Sequence, residues 1–121
     1  MDSVSVIMER DAIAIPMSAS VTEALEMMRQ GRIGIAPVVE AGRLVGLITK
    51  EMVTDPGHSE SKVVDVMVGP GVFVEEGMEV EQSAHLMVMS HMARLPVVNN
   101  SIEMKVVGVV TSTGIVRELK K

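Results

Sequence analysis

The sequence predicts an α/β (α+β) fold assembled from two tandem β-α-β-β-α repeats. Three observations carry that prediction. The chain matches itself in register: a shift of 59 sets Met8 on Met67, Ile13 on Val72, Ile15 on Val74, Val21 on Val80, Met28 on Met87 and Pro37-Val38-Val39 on Pro96-Val97-Val98. Past that strand the shift becomes 62, setting Val45-Gly46 on Val107-Gly108 and Thr49 on Thr111, so three extra residues fall in one turn of the second copy. Within each copy, a helical stripe of apolar residues gives way to Val- and Ile-rich runs.

Each element follows from its residues. A short extended piece (Ile13 to Ile15; Val72 to Val74) opens each copy. Ser20 and Glu23 then form a capping-box pattern ahead of Val21, Ala24, Leu25 and Met28, which share one helical face. Val80, Ala84 and Met87 make the equivalent stripe in the second copy, without so clear a cap. Two strands follow, Ala36 to Val39 with Leu44 to Ile48, and Leu95 to Val98 with Val106 to Val110. Their turns, Glu40-Ala41-Gly42 and Asn99-Asn100-Ser101, carry turn-forming Gly and Asn. A last helix starts at Thr49 or Thr111, and Asp55-Pro56-Gly57 stops the first of these. The repeats therefore divide as 1–56 and 62–121, with 57–61 as a polar linker. One such unit is too small to close a core, so the expectation is two copies packed sheet to sheet as one module.

Composition narrows the function classes. Eleven Lys and Arg against 16 Asp and Glu give a net charge of -5, a field that repels phosphate backbones, so no nucleic-acid partner is expected. With no cysteine, disulfides, thiolate metal sites and cysteine nucleophiles are excluded, which fits a cytoplasmic location. Asp2 and Glu9 stand where a leader would be basic, and no apolar run approaches the ~18 residues of a membrane span. Twelve Met against one Phe and no Trp or Tyr leave thioethers to fill the core. Met27, Met28 and Met52, with Met87, Met89 and Met92, are expected to supply core and a homodimer contact.

The order of elements resembles the CBS (cystathionine-β-synthase) domain, in two copies covering nearly the whole chain. The marks are Glu23-Ala24-Leu25, Arg94-Leu95-Pro96-Val97-Val98, Gly46-Leu47-Ile48-Thr49 and Gly108-Val109-Val110-Thr111. The resemblance implies a regulatory sensor with two clefts between the repeats that bind an adenosyl ligand such as AMP, ADP, ATP or S-adenosylmethionine. It also implies dimerisation through the helices and an output passed to a separate effector protein. No cofactor is required by it. The alternative is a structural dimerisation module whose clefts bind nothing.

The candidate ligand residues follow from that resemblance. A Gly-x-x-Thr segment entering a helix presents a hydroxyl and unpaired amides at the positive helix end, which suits ribose or phosphate oxygens; these are Thr49 and Thr111. Glu51 and Thr113, just beyond, occupy the expected ribose positions, Thr113 without a carboxylate. His91 and Arg94, ahead of Pro96, lie near the family's basic positions and could pair a phosphate, whereas the first copy has Arg32 and Ile35 there. Ile13 and Ile15, with Val72 and Val74, would line the clefts against a purine.

Other chemistry finds no support. His58, His85 and His91 have no metal-site spacing. Gly69-Pro70-Gly71 lacks the Lys-Ser/Thr ending of a phosphate loop, and Ser5, Ser18, Ser83 and Ser90 lack a nucleophile's setting. The expectation is therefore a non-catalytic protein.

Overall fold

The computed structural model describes residues 2–120. Residues 13–71 make one compact unit, and residues 1–12 together with 72–121 make the other.

The unit of residues 13–71 runs β1 (Ile15–Pro16), α1 (Val21–Gly31), β2 (Ile35–Glu40), β3 (Arg43–Thr49), α2 (Lys50–Thr54), a 3-10 turn at Pro56–His58, and α3 (Val63–Val66). The sheet order is β1-β2-β3: β1 runs parallel to β2, with Ile15 opposite Val38, and β2 antiparallel to β3, with Ile35 opposite Thr49. The β2–β3 turn holds Ala41 and Gly42 both at positive φ (52° and 80°), as a two-residue hairpin of right-handed twist requires. Helix α1 begins as its sequence predicts. Ser20 Oγ accepts from the Glu23 amide at 3.0 Å, and Glu23 Oε1 accepts from the Ser20 amide at 3.1 Å. The Ser20 backbone amide, and after it the hydroxyl, holds the Glu23 carboxyl below its ordinary pKa. Ile15, Val21, Ala24, Met28, Val38, Ile48 and Val63 form the core.

The second unit repeats the plan with β4 (Val74–Glu75), α4 (Val80–Ser90), β5 (Arg94–Val98), β6 (Val106–Thr111) and α5 (Ser112–Leu119), in sheet order β4-β5-β6. The β-α-β-β-α order expected of each repeat is the observed one. At the start of α4 a weaker capping contact appears, the Glu79 amide reaching Gln82 Oε1 at 3.4 Å. The longer turn after β5 is stitched by its asparagines: Asn99 Oδ1 accepts from Asn100 and Lys105, and Asn100 Oδ1 from Ile102 and Glu103. Both opening strands lie two residues later than expected, because Ile13 and Val72 precede the parallel pairing that starts at Ile15 and Val74.

The segments leading each repeat are built into these units in matching ways. In the first, Val68 and Leu47 exchange backbone hydrogen bonds of 3.0 and 3.1 Å; in the second, Glu9 and Val109 do so at 2.8 and 3.0 Å. This contact explains the matched glycines. A Cβ on Gly46 would stand 2.6 Å from the Val68 carbonyl oxygen, and one on Gly108 would stand 2.8 Å from that of Glu9. Val4 and Met8 of the leading segment are buried in the second unit's core beside Val74, Leu95 and Val110. Among the described residues no helix is long and apolar enough to cross a membrane.

Candidate functional site

The two strand-to-helix junctions are the site's framework. Thr49 caps α2, its Oγ1 accepting from the Met52 amide at 3.3 Å, and the Lys50 amide reaches back to the Gly34 carbonyl at 2.8 Å. Thr111 caps α5 in the same way, with Gly114 N at 3.0 Å from its Oγ1 and the Ser112 amide on the Ala93 carbonyl at 2.9 Å. These caps arise because a threonine at a strand end already has the extended backbone an N-cap needs. Each hydroxyl uses one lone pair on its cap and keeps its proton to donate, so capping and ligand contact are compatible.

The second unit brings more of the expected residues together. Arg94 sits directly across the β5–β6 ladder from Thr111, and Pro96 across from Val109. His91 ends α4 in the left-handed region at φ 56° and is exposed. Thr113 is exposed in the first turn of α5. In the first unit, Thr49 faces Ile35 across the ladder, and Glu51 is exposed in the first turn of α2. That junction has a carboxylate in its helix and no arginine opposite; the other has an arginine opposite and, at Thr113, no carboxylate in its helix.

Several expected contacts take a different form. Ile15 and Val74 are 0% and 1% exposed, with side chains in their own cores, so only their backbone can meet a ligand. Pro96 is likewise buried. The half-buried Ile13 and Val72 pack against the same cores. Arg94 is already engaged: Nη2 lies 3.5 Å from Glu9 Oε2. Glu9, 85 residues away in sequence, carries no motif that would announce it. Most of the methionines are also spent inside the units. Met28 and Met87 are buried core, while Met27, Met52 and Met92 pack against it; Met89 alone of the six is exposed, at 67%. Among the described residues no group of His, Cys, Asp or Glu could hold a metal ion.

Two halves sharing one strand order, one helix cap and one leader-contacting glycine define a paired-repeat α+β module. The chain belongs to the CBS domain family, whose pattern matches residues 4–55 and 63–121. It is 32% identical to an inosine-5'-monophosphate dehydrogenase of Methanocaldococcus jannaschii over 112 residues, 92% of this chain and 22% of that protein. It is 30% identical to the CBS domain-containing protein YhcV of Bacillus subtilis over 106 residues, 84% of this chain and 76% of that one. The chain spans from 21% to 61% of the length of the first curated relatives it matches. Among solved structures, the CBS domain pair of protein MJ0100, in complex with 5'-methylthioadenosine and S-adenosyl-L-methionine, is 25% identical. That likeness has a TM-score of 0.82 and covers 99% of this chain and 97% of that one. A CBS domain pair/ACT domain protein of Thermotoga maritima is 27% identical, with a TM-score of 0.85 over 98% of this chain and 97% of that one.

Proposed function

We propose that the chain is a non-catalytic regulatory module that binds an adenosyl compound (AMP, ADP, ATP or S-adenosylmethionine) and passes the signal to a separate protein. The observation that carries this is the junction of the second unit. Thr111 ends a strand and caps α5, with Arg94 beside it on the next strand. A hydroxyl donor, the positive end of α5 and a guanidinium in one place suit the oxygens of a ribose and its phosphate. The adenosyl ligands of the MJ0100 domain pair support the ligand class. Thr111, Thr113, Arg94 and His91 are the proposed contacts in this unit, with Thr49 and Glu51 in the other.

A thermal-shift titration with adenosine, AMP, ATP and S-adenosylmethionine tests the proposal. A ligand at 100 times its dissociation constant adds about 2.7 kcal/mol of stability. Shifts below a degree for all four at millimolar concentration would refute it.

One observation favours a second, compatible role in self-association. Val88 and Met89 on α4, with Val116 and Leu119 on α5, are 50% to 72% exposed. A homodimer would cover this face through these side chains rather than through the methionines as a group. Light scattering should give a dimer for the wild type and a monomer for Met89→Glu.

A further inference from the structure

Glu9 and Arg94 meet at the junction of the second unit, Oε2 to Nη2 at 3.5 Å. Arg94 is placed by the β5–β6 ladder, opposite Thr111. Glu9 is placed by its own backbone: its amide donates to the Val109 carbonyl at 2.8 Å, and its carbonyl accepts from the Val109 amide at 3.0 Å. The side chain can turn, but its carboxylate cannot leave the junction without breaking both bonds. The adjacent Arg10 turns its guanidinium elsewhere, donating to the Ser5 carbonyl at 3.0 Å.

The first unit changes both members of the pair together. Ile35 stands opposite Thr49 where Arg94 stands opposite Thr111, and Val68 bridges to Leu47 where Glu9 bridges to Val109. One junction thus has two apolar side chains at these places and the other has two opposite charges. With Arg94 24% and Glu9 55% exposed, the charged pair adds little stability. Its effect falls on what the junction accepts. A phosphate monoester brings about -1.5 to -2 charges to an arginine that a resident carboxylate already neutralises. An α-amino acid brings one charge of each sign, so its carboxylate can take Arg94 while its ammonium takes Glu9.

We infer, on the adenosyl reading proposed above, that Glu9 sets the specificity of this junction: with Arg94 it selects an adenosyl compound ending in an α-amino acid over one ending in phosphate. S-adenosylmethionine has such an end; AMP, ADP and ATP do not.

Calorimetry on the full chain tests this with S-adenosyl-L-homocysteine and 5'-methylthioadenosine, which share a thioether nucleoside and differ by the amino-acid end. AMP and free L-methionine complete the set. The wild type should bind S-adenosyl-L-homocysteine about three- to tenfold more tightly than 5'-methylthioadenosine, a preference that falls as salt rises. Arg94→Gln should abolish that preference. Glu9→Gln keeps both Val109 bonds, which are backbone, and should move the ratio of S-adenosyl-L-homocysteine to AMP affinity toward AMP by about three- to tenfold. Glu81→Gln, which removes the same charge from the first turn of α4, should leave the ratio unchanged. Equal binding of S-adenosyl-L-homocysteine and 5'-methylthioadenosine by the wild type overturns the inference and leaves the adenosyl reading standing, whereas no binding of any nucleoside overturns both. An unmoved ratio in Glu9→Gln, an equal shift in Glu81→Gln, or L-methionine binding as tightly as S-adenosyl-L-homocysteine also overturns it.

Discussion

Replacing Gly108 by alanine should displace the leading segment from the second unit. The new Cβ would lie 2.8 Å from the Glu9 carbonyl oxygen and 3.0 Å from Met8 Sδ, where ordinary contact begins at 3.4 Å. The thioether can swing away, but the carbonyl is backbone and is held by the Val109 amide at 3.0 Å. Relief therefore requires the segment to move by about half an ångström or more, which strains both Glu9–Val109 hydrogen bonds. Overpacking of this kind costs about 1–3 kcal/mol, and each weakened bond adds up to about 1 kcal/mol. The expected loss is about 2–4 kcal/mol. Urea unfolding measures it as a lower midpoint at unchanged slope, and hydrogen exchange should show the Val109 amide less protected than in the wild type. Gly77→Ala is the control, since a Cβ there meets nothing within 4 Å. A Gly108→Ala loss under about 0.5 kcal/mol, or full protection at Val109, would refute the close-approach account of both matched glycines.

Three further outcomes are expected. The Ser20–Glu23 box lowers the Glu23 pKa in the folded state, so its contribution is present above the unfolded carboxyl pKa and is lost as pH falls through the folded one. The stability gap between wild type and Glu23→Gln should therefore shrink in acid, and pH-resolved melting curves check it. Glu9→Gln removes the carboxylate 3.5 Å from Arg94; as this pair is partly exposed, stability should change by less than about 1 kcal/mol. AMP binding should tighten as the guanidinium is freed while adenosine binding stays constant, a contrast readable by calorimetry. Thr111→Ala removes the α5 cap and should cost about 1 kcal/mol, whereas Thr111→Ser keeps both the cap and the hydroxyl that adenosine binding is proposed to use.

What the sequence made legible was local. The Ser20–Glu23 box, the caps at Thr49 and Thr111 and the stop at Asp55-Pro56 each depend on residues within a few positions, and all appear. Doubling made the strand order legible too, since Pro37-Val38-Val39 and Pro96-Val97-Val98 occupy corresponding places in β2 and β5. What escaped depends on contacts distant in sequence. Whether Ile15 faces a ligand or its core turns on the register of a two-residue strand, which periodicity cannot resolve over so short a stretch. Glu9 meets Arg94 only because the leading segment joins the second unit. Gly46 and Gly108 offered a usable signal, since paired glycines inside strands mark a close backbone approach, though not by which segment.

The division of the chain also sets an order of events during synthesis. Residues 13–71 leave the ribosome as one run and have all their partners once residue 71 is made. Residues 1–12 emerge before that unit, yet their partner strand, carrying Val109, is made only after it. At about 5–20 residues per second, the roughly one hundred residues from Glu9 to Val109 impose a wait of about 5–20 s. Throughout it, Val4 and Met8, 0% and 7% exposed in the finished protein, have no core to enter. A nascent chain stalled in that interval would carry a closed first unit behind a short, sticky, unpaired segment. A change within residues 1–12 is thus a perturbation of the second unit, felt only once residues 72–121 have been made.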